Sequence, residues 1–460
     1  MKRPLSAVLA SALLLALNVP VLAGPPVDVG AYRDVSGRII GAAVVDDTAW
    51  QRLTYLCDAI GNRLSGTPQL DAAIAWAVAE MTRDGLENVH TEKAMVPRWV
   101  RGDESATLVE PVVRKLAMLG LGNSVGTPPE GITADVTVVH SFAELDGLGD
   151  KVRGRIVCYD VPFTNYGETV QYRGSGASRA AKYGAVAVLV RSVGPTGFDT
   201  PHTGALRYAT DPPEPARIPA AAITIEGAEM LARMQARGQR IRVTLRMSAA
   251  MLADVPSANV VAELRGSEHP EQVVLLGAHL DSWDVGSGAH DDGGGCMQIW
   301  QALRILKTLG LRPRRTIRIV LFTNEENGLR GGTAYHDAHK GDARNHVLAI
   351  ETDSGTFHPL GFGVSGSESV KATAGQIVAL LEPIGAGTIG GEGGGADIGP
   401  MMLEGVPGMG LNVEGSRYFW YHHTNADTPD KIDPRDLALC SAAIAVMAYV
   451  VADLPFRIGE

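Results

Sequence analysis

Two adjacent glutamates, Glu325 and Glu326, follow an apolar and β-branched run over residues 316–322. Such a run is typical of a buried parallel strand, so both carboxylates leave the carboxyl end of that strand. Adjacent side chains point in different directions there. One glutamate is then able to bind a metal ion while its neighbour faces the water that the metal activates, as a hydrolase requires. An acidic turn alone is usually solvated surface, so this hypothesis needs further ligands from other segments.

Two other segments carry groups of this kind. His279 and Asp281 follow a predicted strand over 272–276 and lie on the same side of an extended chain. Asp281 is therefore placed to hold the second ring nitrogen of His279. Asp291 and Asp292 directly precede an amphipathic helix, where one aspartate is the expected N-cap and the other stays free.

Further groups come later in the chain. Asp353 follows a predicted strand over 346–350, and the pair His422 and His423 follows an aromatic run. In α/β sheets ligands gather beyond the carboxyl ends of the strands, so these side chains are expected to converge at one edge. Two imidazoles with carboxylates, one of them bridging, suit two Zn²⁺ ions about 3.5 to 4 Å apart. The expected reaction is hydrolysis by a metal-bound water whose pKa falls towards about 7.

The elements that must position these groups alternate regularly after Ala258. This order predicts an α/β fold in which a central sheet carries helices on both faces. The predicted strands cover 260–264, 272–276, 316–322 and 346–350, and the predicted helices cover 292–309 and 332–339. Before them, a short lead rich in Pro and Gly is followed by helices over 46–60 and 70–84 and a strand over 86–92.

Between about residues 120 and 250 the pattern changes to short β runs separated by Gly and Pro, with helices over 176–183 and 226–236. The length of 460 residues also exceeds one ordinary core. The chain is therefore predicted to have a catalytic domain in two parts, over 24–119 and 251–460, with an inserted β-rich module over 120–250. The proline-rich stretch 207–217 is predicted to be a surface loop of that module.

The first 23 residues are predicted to be a secretory signal peptide. Basic residues precede an apolar stretch over 9–17 that is too short to span a bilayer, and small residues precede Gly24. The mature protein is thus expected to be secreted or periplasmic and not bound to a membrane. The net charge is −10 and there is no long basic run, so a nucleic acid is an improbable partner.

The four cysteines are Cys57, Cys158, Cys296 and Cys440, and none has the spacing of a metal site. Three fully paired connectivities are open in an oxidising compartment. Cys57 and Cys296 lie within helical patterns, so buried free thiols are the expected state.

The order of the motifs resembles the co-catalytic zinc exopeptidases, the family of the bacterial leucyl aminopeptidases, and most of all its plasma glutamate carboxypeptidase branch. The shared motifs are His279-x-Asp281, Asp291-Asp292-Gly293, Glu325-Glu326, Asp353, His423-Thr424-x-x-Asp427-Thr428, Gly61-Asn62-Arg63-Leu64-Ser65-Gly66 and Trp99-Val100-Arg101-Gly102. The resemblance covers nearly the whole mature chain. It implies a phosphorylase/hydrolase-like fold with a mixed central sheet, and an inserted lid similar to a protease-associated domain.

The resemblance also implies two zinc ions per chain. His279 and Asp353 would bind one ion, Glu326 and His423 would bind the other, and Asp291 would bridge both. The activity expected is that of an exopeptidase on small peptides, in particular dipeptides, because the inserted module would roof the site. A homodimer is implied as well.

Glu325 would be the general base, and Asp281 would orient His279. Asp291 is chosen over Asp292 because it matches the bridging position, which leaves Asp292 to the helix start. His423 is chosen over its neighbour because it directly precedes Thr424-x-x-Asp427-Thr428.

Substrate termini need charged partners as well. Within the glycine-rich loop over 390–397, Glu392 and Asp397 are candidates to bind a free amine, and Arg173 or another lid arginine is a candidate to bind a free carboxylate. Three alternative functions stay open: an aminopeptidase on longer peptides, an acyl transferase like the glutaminyl cyclases with a single zinc, and a receptor-like binding module without catalysis.

Overall fold

The computed structural model describes residues 25–211 and 215–460, and the predicted signal peptide, 1–23, lies outside the described residues. Within them, strands β1 to β16 are Glu87–Val100, Glu104–Glu110, Arg114–Leu116, Met118–Gly120, Ile132–Val139, Ile156–Tyr159, Ala187–Arg191, Ala220–Ile223, Arg242–Met247, Ala250–Leu264, His269–His279, Arg315–Phe322, His346–Glu351, Pro359–Ser365, Thr388–Ile389 and Gly408–Val413. Helices α1 to α13 are Val29–Val45, Thr48–Tyr55, Pro68–Arg83, Phe142–Leu148, Tyr166–Lys182, Ile225–Ala236, Gly294–Thr308, Glu325–Gly328, Arg330–His339, Glu368–Ile377, Gly399–Leu403, Tyr418–Tyr421 and Pro434–Asp453.

The central sheet has eight strands in the order β1-β10-β12-β11-β13-β16-β14-β15. Strands β12, β11, β13 and β16 are parallel neighbours. Strand β10 pairs antiparallel with β1 and β12, and β14 pairs antiparallel with β16 but parallel with β15. The sheet is therefore mixed, as predicted. Because its four middle strands are parallel, their carboxyl ends lie at one edge of the sheet.

Alternate residues of the middle strands face two different cores. Val274 and Leu276 of β11 pack in a core formed with α1, α3, α7 and α13. Val273 and Leu275 pack on the opposite face with α9 and α11. This explains why the strands are apolar throughout instead of alternating. Among the described residues, α13 is the one helix that is long and apolar enough to cross a membrane. Most of α13 is buried in the first of these two cores.

The inserted module is built on a second eight-stranded sheet in the order β3-β2-β9-β5-β6-β7-β8-β4, with helices α4, α5 and α6. Strands β2, β3 and β4 precede residue 120 yet pair in this sheet, so the module begins earlier in the structure than the predicted start. The local pattern could not show this, because β2 pairs with β9 more than a hundred residues later. The chain enters the module after β1 and leaves it before β10.

Several element bounds differ from the prediction. Helix α1 lies in the segment that the sequence indicated only as a lead with Pro and Gly. Only Ser36, Ile39 and Ala43 of this helix are buried, and so narrow a stripe gives little periodic signal. Strands β1 and β10 extend to Val100 and from Ala250, because they pair with each other over most of their length as a long ribbon. The four cysteines are buried and free, as predicted.

Candidate metal centre

The predicted ligands meet at the edge where the middle strands end. His279 is the last residue of β11, Glu325 and Glu326 begin the short helix α8 just beyond β12, and Asp353 lies just beyond β13. His423 comes from the segment after α12, where its backbone adopts a left-handed conformation with φ of 62°. The side chains of Glu325 and Asp353 are partly exposed to solvent, and the other side chains of this group are buried.

The carboxylate of Asp291 lies at the middle of this cluster. Its Oδ1 is 3.3 Å from Nε2 of His279, which is itself 3.5 Å from Oδ1 of Asp353. Its Oδ2 is 3.2 Å from Nε2 of His423, which is 3.0 Å from Oε2 of Glu326. One oxygen of Asp291 thus faces His279, and the other faces His423.

The contacts of these side chains also distinguish Asp291 from Asp292 and His423 from His422. The carboxylate of Asp292 accepts hydrogen bonds from the backbone N–H of His279 and of Gly295, 3.1 Å each, so it is occupied at the start of α7. Nε2 of His422 lies 3.6 Å from Asp291 Oδ2, farther than that of His423. Asp291 and His423 are therefore the better placed members of each pair.

The cluster lacks the partners that buried polar atoms normally have. Nε2 of His279, Oδ2 of Asp291 and Oδ1 of Asp353 are buried without a hydrogen-bond partner. Partial burial and neighbouring carboxylates raise the pKa of Glu325 to about 8, and full burial beside Asp291 holds the pKa of Glu326 well above its usual value. A divalent cation would pair these atoms and offset the repulsion among the carboxylates. The mixed set of imidazole and carboxylate donors fits zinc.

Asp281 contributes through two different groups. Nδ1 of His279 is 3.0 Å from the backbone carbonyl oxygen of Asp281 and 3.8 Å from the carboxylate. The carboxylate instead accepts hydrogen bonds from the backbone N–H of Glu325 at 3.0 Å and of Glu326 at 3.4 Å. Asp281 therefore orients the imidazole through its carbonyl, and the glutamate turn through its side chain.

Asn324 shapes the turn that carries the two glutamates. It adopts a left-handed conformation with φ of 63°, which asparagine tolerates better than most residues. Its side-chain oxygen accepts a hydrogen bond from the N–H of Arg330, and its amide donates to Ser65 Oγ at 2.9 Å. Glu326 is held further by the backbone N–H of Trp283, 3.2 Å from Oε1.

Arg63 lies in the turn over residues 61–66, and its type and position in the sequence indicated no role. Its guanidinium is fully buried and donates to four backbone carbonyls, those of Leu280 at 2.7 Å, Gly61 at 2.9 Å, Ser287 at 2.7 Å and Gly288 at 3.0 Å. It therefore fixes the loop that runs from His279 towards Asp291. The only signal in the sequence was an arginine inside an otherwise uncharged turn.

Asp427 is a second positioning residue that the sequence showed only as part of a motif. Its buried carboxylate accepts hydrogen bonds from the backbone N–H of His290 at 2.7 Å and of Asp291 at 3.2 Å. The peptide bond between Asp291 and Asp292 is cis. Asp427 thus fixes the backbone that presents the carboxylate of Asp291.

A cleft of about 1240 Å³ opens above the metal centre, between the two modules. Glu325, Asp291 and Asp353 lie in its floor, and the side of the inserted module contributes Arg173 and Arg207. Of the candidates for binding substrate termini, Asp397 and Glu392 do not line this cleft, since Asp397 is buried and Glu392 is exposed elsewhere. Arg173 lines it, but its guanidinium already contacts Tyr166, Thr203 and His423.

Comparison with known proteins identifies the family. Residues 259–448 match the model of peptidase family M28. The chain is 48% identical to carboxypeptidase Q of Xenopus laevis over 93% of this chain and 91% of that protein. It is 46% identical to carboxypeptidase Q of Homo sapiens over 93% of this chain and 90% of that protein.

The chain belongs to peptidase family M28. It is therefore a metallopeptidase, as the resemblance implied. A crystal structure of an M28 peptidase precursor from Shewanella amazonensis is 32% identical, with a TM-score of 0.90 over 94% of this chain and 99% of that one. A zinc aminopeptidase from Bacillus subtilis has the same fold at 19% identity, with a TM-score of 0.67 over 89% of this chain and 98% of that one. The predicted fold class is confirmed.

We predict that replacing Arg63 by Met lowers the free energy of unfolding by about 3 to 5 kcal/mol, because it removes a buried donor that serves four backbone carbonyls. Urea unfolding of the metal-free protein measures this. Replacing Arg83 by Met is the matched control: its ion pair with Glu80 is exposed, and we expect a change below about 1 kcal/mol. Equal stability of the two variants would contradict the role of Arg63.

Proposed function

We propose that this protein is a secreted or periplasmic dizinc exopeptidase that hydrolyses small peptides, in particular dipeptides. The observation that carries the proposal is the position of the Asp291 carboxylate, with one oxygen toward His279 and Asp353 and the other toward Glu326 and His423. Similarity to carboxypeptidase Q over nearly the whole chain supports the exopeptidase assignment. The implied homodimer stays a prediction.

The residues of the cluster divide into two sets that share Asp291. His279 and Asp353 would hold one zinc ion, and Glu326 and His423 would hold the other. When bound, the two ions supply Lewis acidity toward a substrate carbonyl and lower the pKa of a coordinated water. The protein fixes the donors beforehand through Arg63, Asp281 and Asp427, so little reorganisation is needed at the moment of reaction.

Glu325 is the acid–base residue of this proposal. Its side chain lines the cleft beside the ligands. It takes no part in the contacts of Asp291 with His279 or of Glu326 with His423. Its backbone N–H is fixed by Asp281, so the carboxylate is held at the cleft floor. In the metal-free chain the pKa of Glu325 is raised to about 8. Two zinc ions beside it would favour its carboxylate form, which accepts a proton from the attacking water and returns it to the leaving amine.

We predict that the purified protein contains two zinc ions per chain and releases amine from dipeptides, and that a strong chelator abolishes this activity. Zinc added back restores it. Elemental analysis and an amine-release assay on a panel of dipeptides and longer peptides make the measurement. One zinc per chain would favour the cyclase-like alternative, no turnover on any peptide would favour the receptor-like one, and a preference for long peptides would favour an aminopeptidase.

Replacing Glu325 by Gln should leave both zinc ions bound yet lower kcat by at least about 10²-fold, because the amide cannot accept the proton. Replacing Glu368 by Gln is the matched control, since this glutamate is exposed on α10 and far outside the cleft lining. An active, zinc-replete Glu325→Gln variant would refute the assignment of the general base.

Arg207 is the second cationic residue of the cleft lining and differs from Arg173 in being exposed. Among the described residues no hydrogen bond or ion pair is made by its guanidinium, whereas its backbone N–H donates to Gly174 at 2.8 Å. The backbone of Arg207 is thus fixed, its guanidinium has no ionic partner among the described residues, and the same cleft is lined by carboxylates. Such a guanidinium is suited to bind a substrate carboxylate. We therefore assign the free carboxylate of the peptide to Arg207, and not to Arg173.

Replacing Arg207 by Gln should lower kcat/KM for a free dipeptide by about 10- to 100-fold, the effect of losing a hydrogen bond to a charged group. The same dipeptide with a C-terminal amide should be cleaved equally by both proteins. Arg246, another exposed arginine of the inserted module, lies outside the cleft lining and serves as the control through Arg246→Gln. Equal losses on acid and amide substrates would show that Arg207 does not bind the carboxylate.

A further inference from the structure

The motif Trp99-Val100-Arg101-Gly102 lies where the chain first crosses from the central sheet to the inserted module. The return crossing lies beside it, because the backbone N–H of Asp103 donates to Ser248 Oγ at 2.7 Å and the N–H of Ser248 donates to the carbonyl of Asp103 at 2.9 Å. Gly102 has φ of 65°, and a side chain there would collide with Ser248. The described chain thus joins its two modules at one narrow connection.

Arg101 links both modules at this connection. Its guanidinium forms a bidentate pair with the carboxylate of Asp284, at 2.8 and 2.5 Å, and stacks on Trp99. It also donates to the carbonyl of Gly120 at 2.6 Å and approaches Thr203 Oγ1 at 3.3 Å, both in the inserted module. Only about a tenth of the side chain is exposed, so these are contacts of a nearly desolvated charge.

Asp284 belongs to the loop that leads from His279 to the bridging aspartate. Its neighbour Trp283 donates a backbone hydrogen bond to Glu326 and packs edge-on against the ring of His423, 5.6 Å between centroids. Arg101 therefore connects the inserted module to the loop that supports one of the two ligand pairs.

Thr203 makes the matching contact from the other side. Its backbone N–H donates to the carbonyl of His423 at 2.9 Å, and its hydroxyl donates to Gly120 at 2.7 Å. Its own carbonyl lies 3.4 Å from Nδ1 of His423. An imidazole that binds a metal through Nε2 carries its proton on Nδ1 and needs an acceptor there. Arg173, also near Nδ1, has no acceptor atom, so the carbonyl of Thr203 is the group that fits.

We propose that Arg101 is a positioning residue for the zinc site of His423: it locks the inserted module onto the Asp284 loop, and this places the Thr203 carbonyl against Nδ1 of His423. The lid module thereby completes a metal site whose ligands all come from the catalytic module. The proposal rests on the metallopeptidase function above. It assigns Arg101 no contact with substrate.

The test is the zinc affinity of the full mature chain, measured by competition with a chromophoric chelator. We expect Arg101→Gln to weaken one of the two zinc sites, the one that contains His423, by about 10- to 100-fold, the usual effect of removing an outer partner of a ligand. Activity at limiting zinc should fall, and excess zinc should restore it. Hydrogen exchange at the N–H of Thr203 should accelerate, because its contact with His423 loosens.

Three further variants keep the test decisive. Arg240→Gln removes an exposed arginine paired with Asp135 in the same module and should leave zinc affinity unchanged. Arg101→Lys keeps the charge but not the bidentate fork, and Thr203→Val removes only the hydroxyl. Both should weaken zinc binding less than Arg101→Gln, and they serve if that variant does not fold.

Wild-type zinc affinity in the folded Arg101 and Thr203 variants would overturn the proposal, as would a loss of activity that excess zinc does not restore. These results differ from a failure of the proposed function. If the wild-type chain binds no zinc or cleaves no peptide, the metallopeptidase assignment fails; if it does both and Arg101→Gln is unchanged, only the present inference fails.

Discussion

The constraint on which the structure depends is the gathering of five carboxylates and two imidazoles at one edge of the central sheet. Asp291 accepts a contact from an imidazole on each side, and several atoms of the cluster have no hydrogen-bond partner among the described residues. Such a cluster opposes folding unless a cation balances it. The surrounding structure therefore holds these groups in place against their mutual repulsion, in positions from which they can bind a metal ion.

Hydrogen bonds to backbone groups provide most of this support. Three aspartates, Asp281, Asp292 and Asp427, accept hydrogen bonds from backbone N–H groups of the ligand-bearing segments. Arg63 acts as a donor instead, since its guanidinium binds three carbonyls of the loop between His279 and Asp291 and the carbonyl of Gly61 in its own turn. Around the centre, carboxylates thus bind backbone N–H groups and a guanidinium binds backbone carbonyls. These hydrogen bonds fix the ligand-bearing segments and leave the ligand atoms that face the cleft unused.

The inserted module has two relations to this centre. Toward the cleft it offers Arg207, an exposed cation opposite an acidic floor, which would align a short zwitterionic peptide across the site. Behind the cleft it meets His423 through Thr203 and Arg173. In the proposed function, enclosure of the substrate and completion of the metal site would both follow from this docking, since Arg101 contacts both modules at their connection.

The sequence by itself determined the chemistry and the general architecture. Carboxylates and imidazoles placed just after apolar runs predicted the ligands, because parallel strands end at a common edge and their side-chain types can be read locally. The family and the fold class followed from the same motifs and are confirmed. The expected ligand residues do lie together, although their assignment to individual ions stays a proposal.

Only the tertiary structure decided which groups hold those ligands in place. The start of the inserted module depends on pairing of β2 with β9, and the roles of Arg63, Arg101 and Asp427 depend on contacts with loops far along the chain. Asp281 illustrates the limit most clearly: its type and spacing pointed to His279, but its carboxylate turns to the amides of Glu325 and Glu326. Local pattern specifies where a strand ends and which side chains follow it, whereas the partner of each polar group is fixed by how distant segments pack.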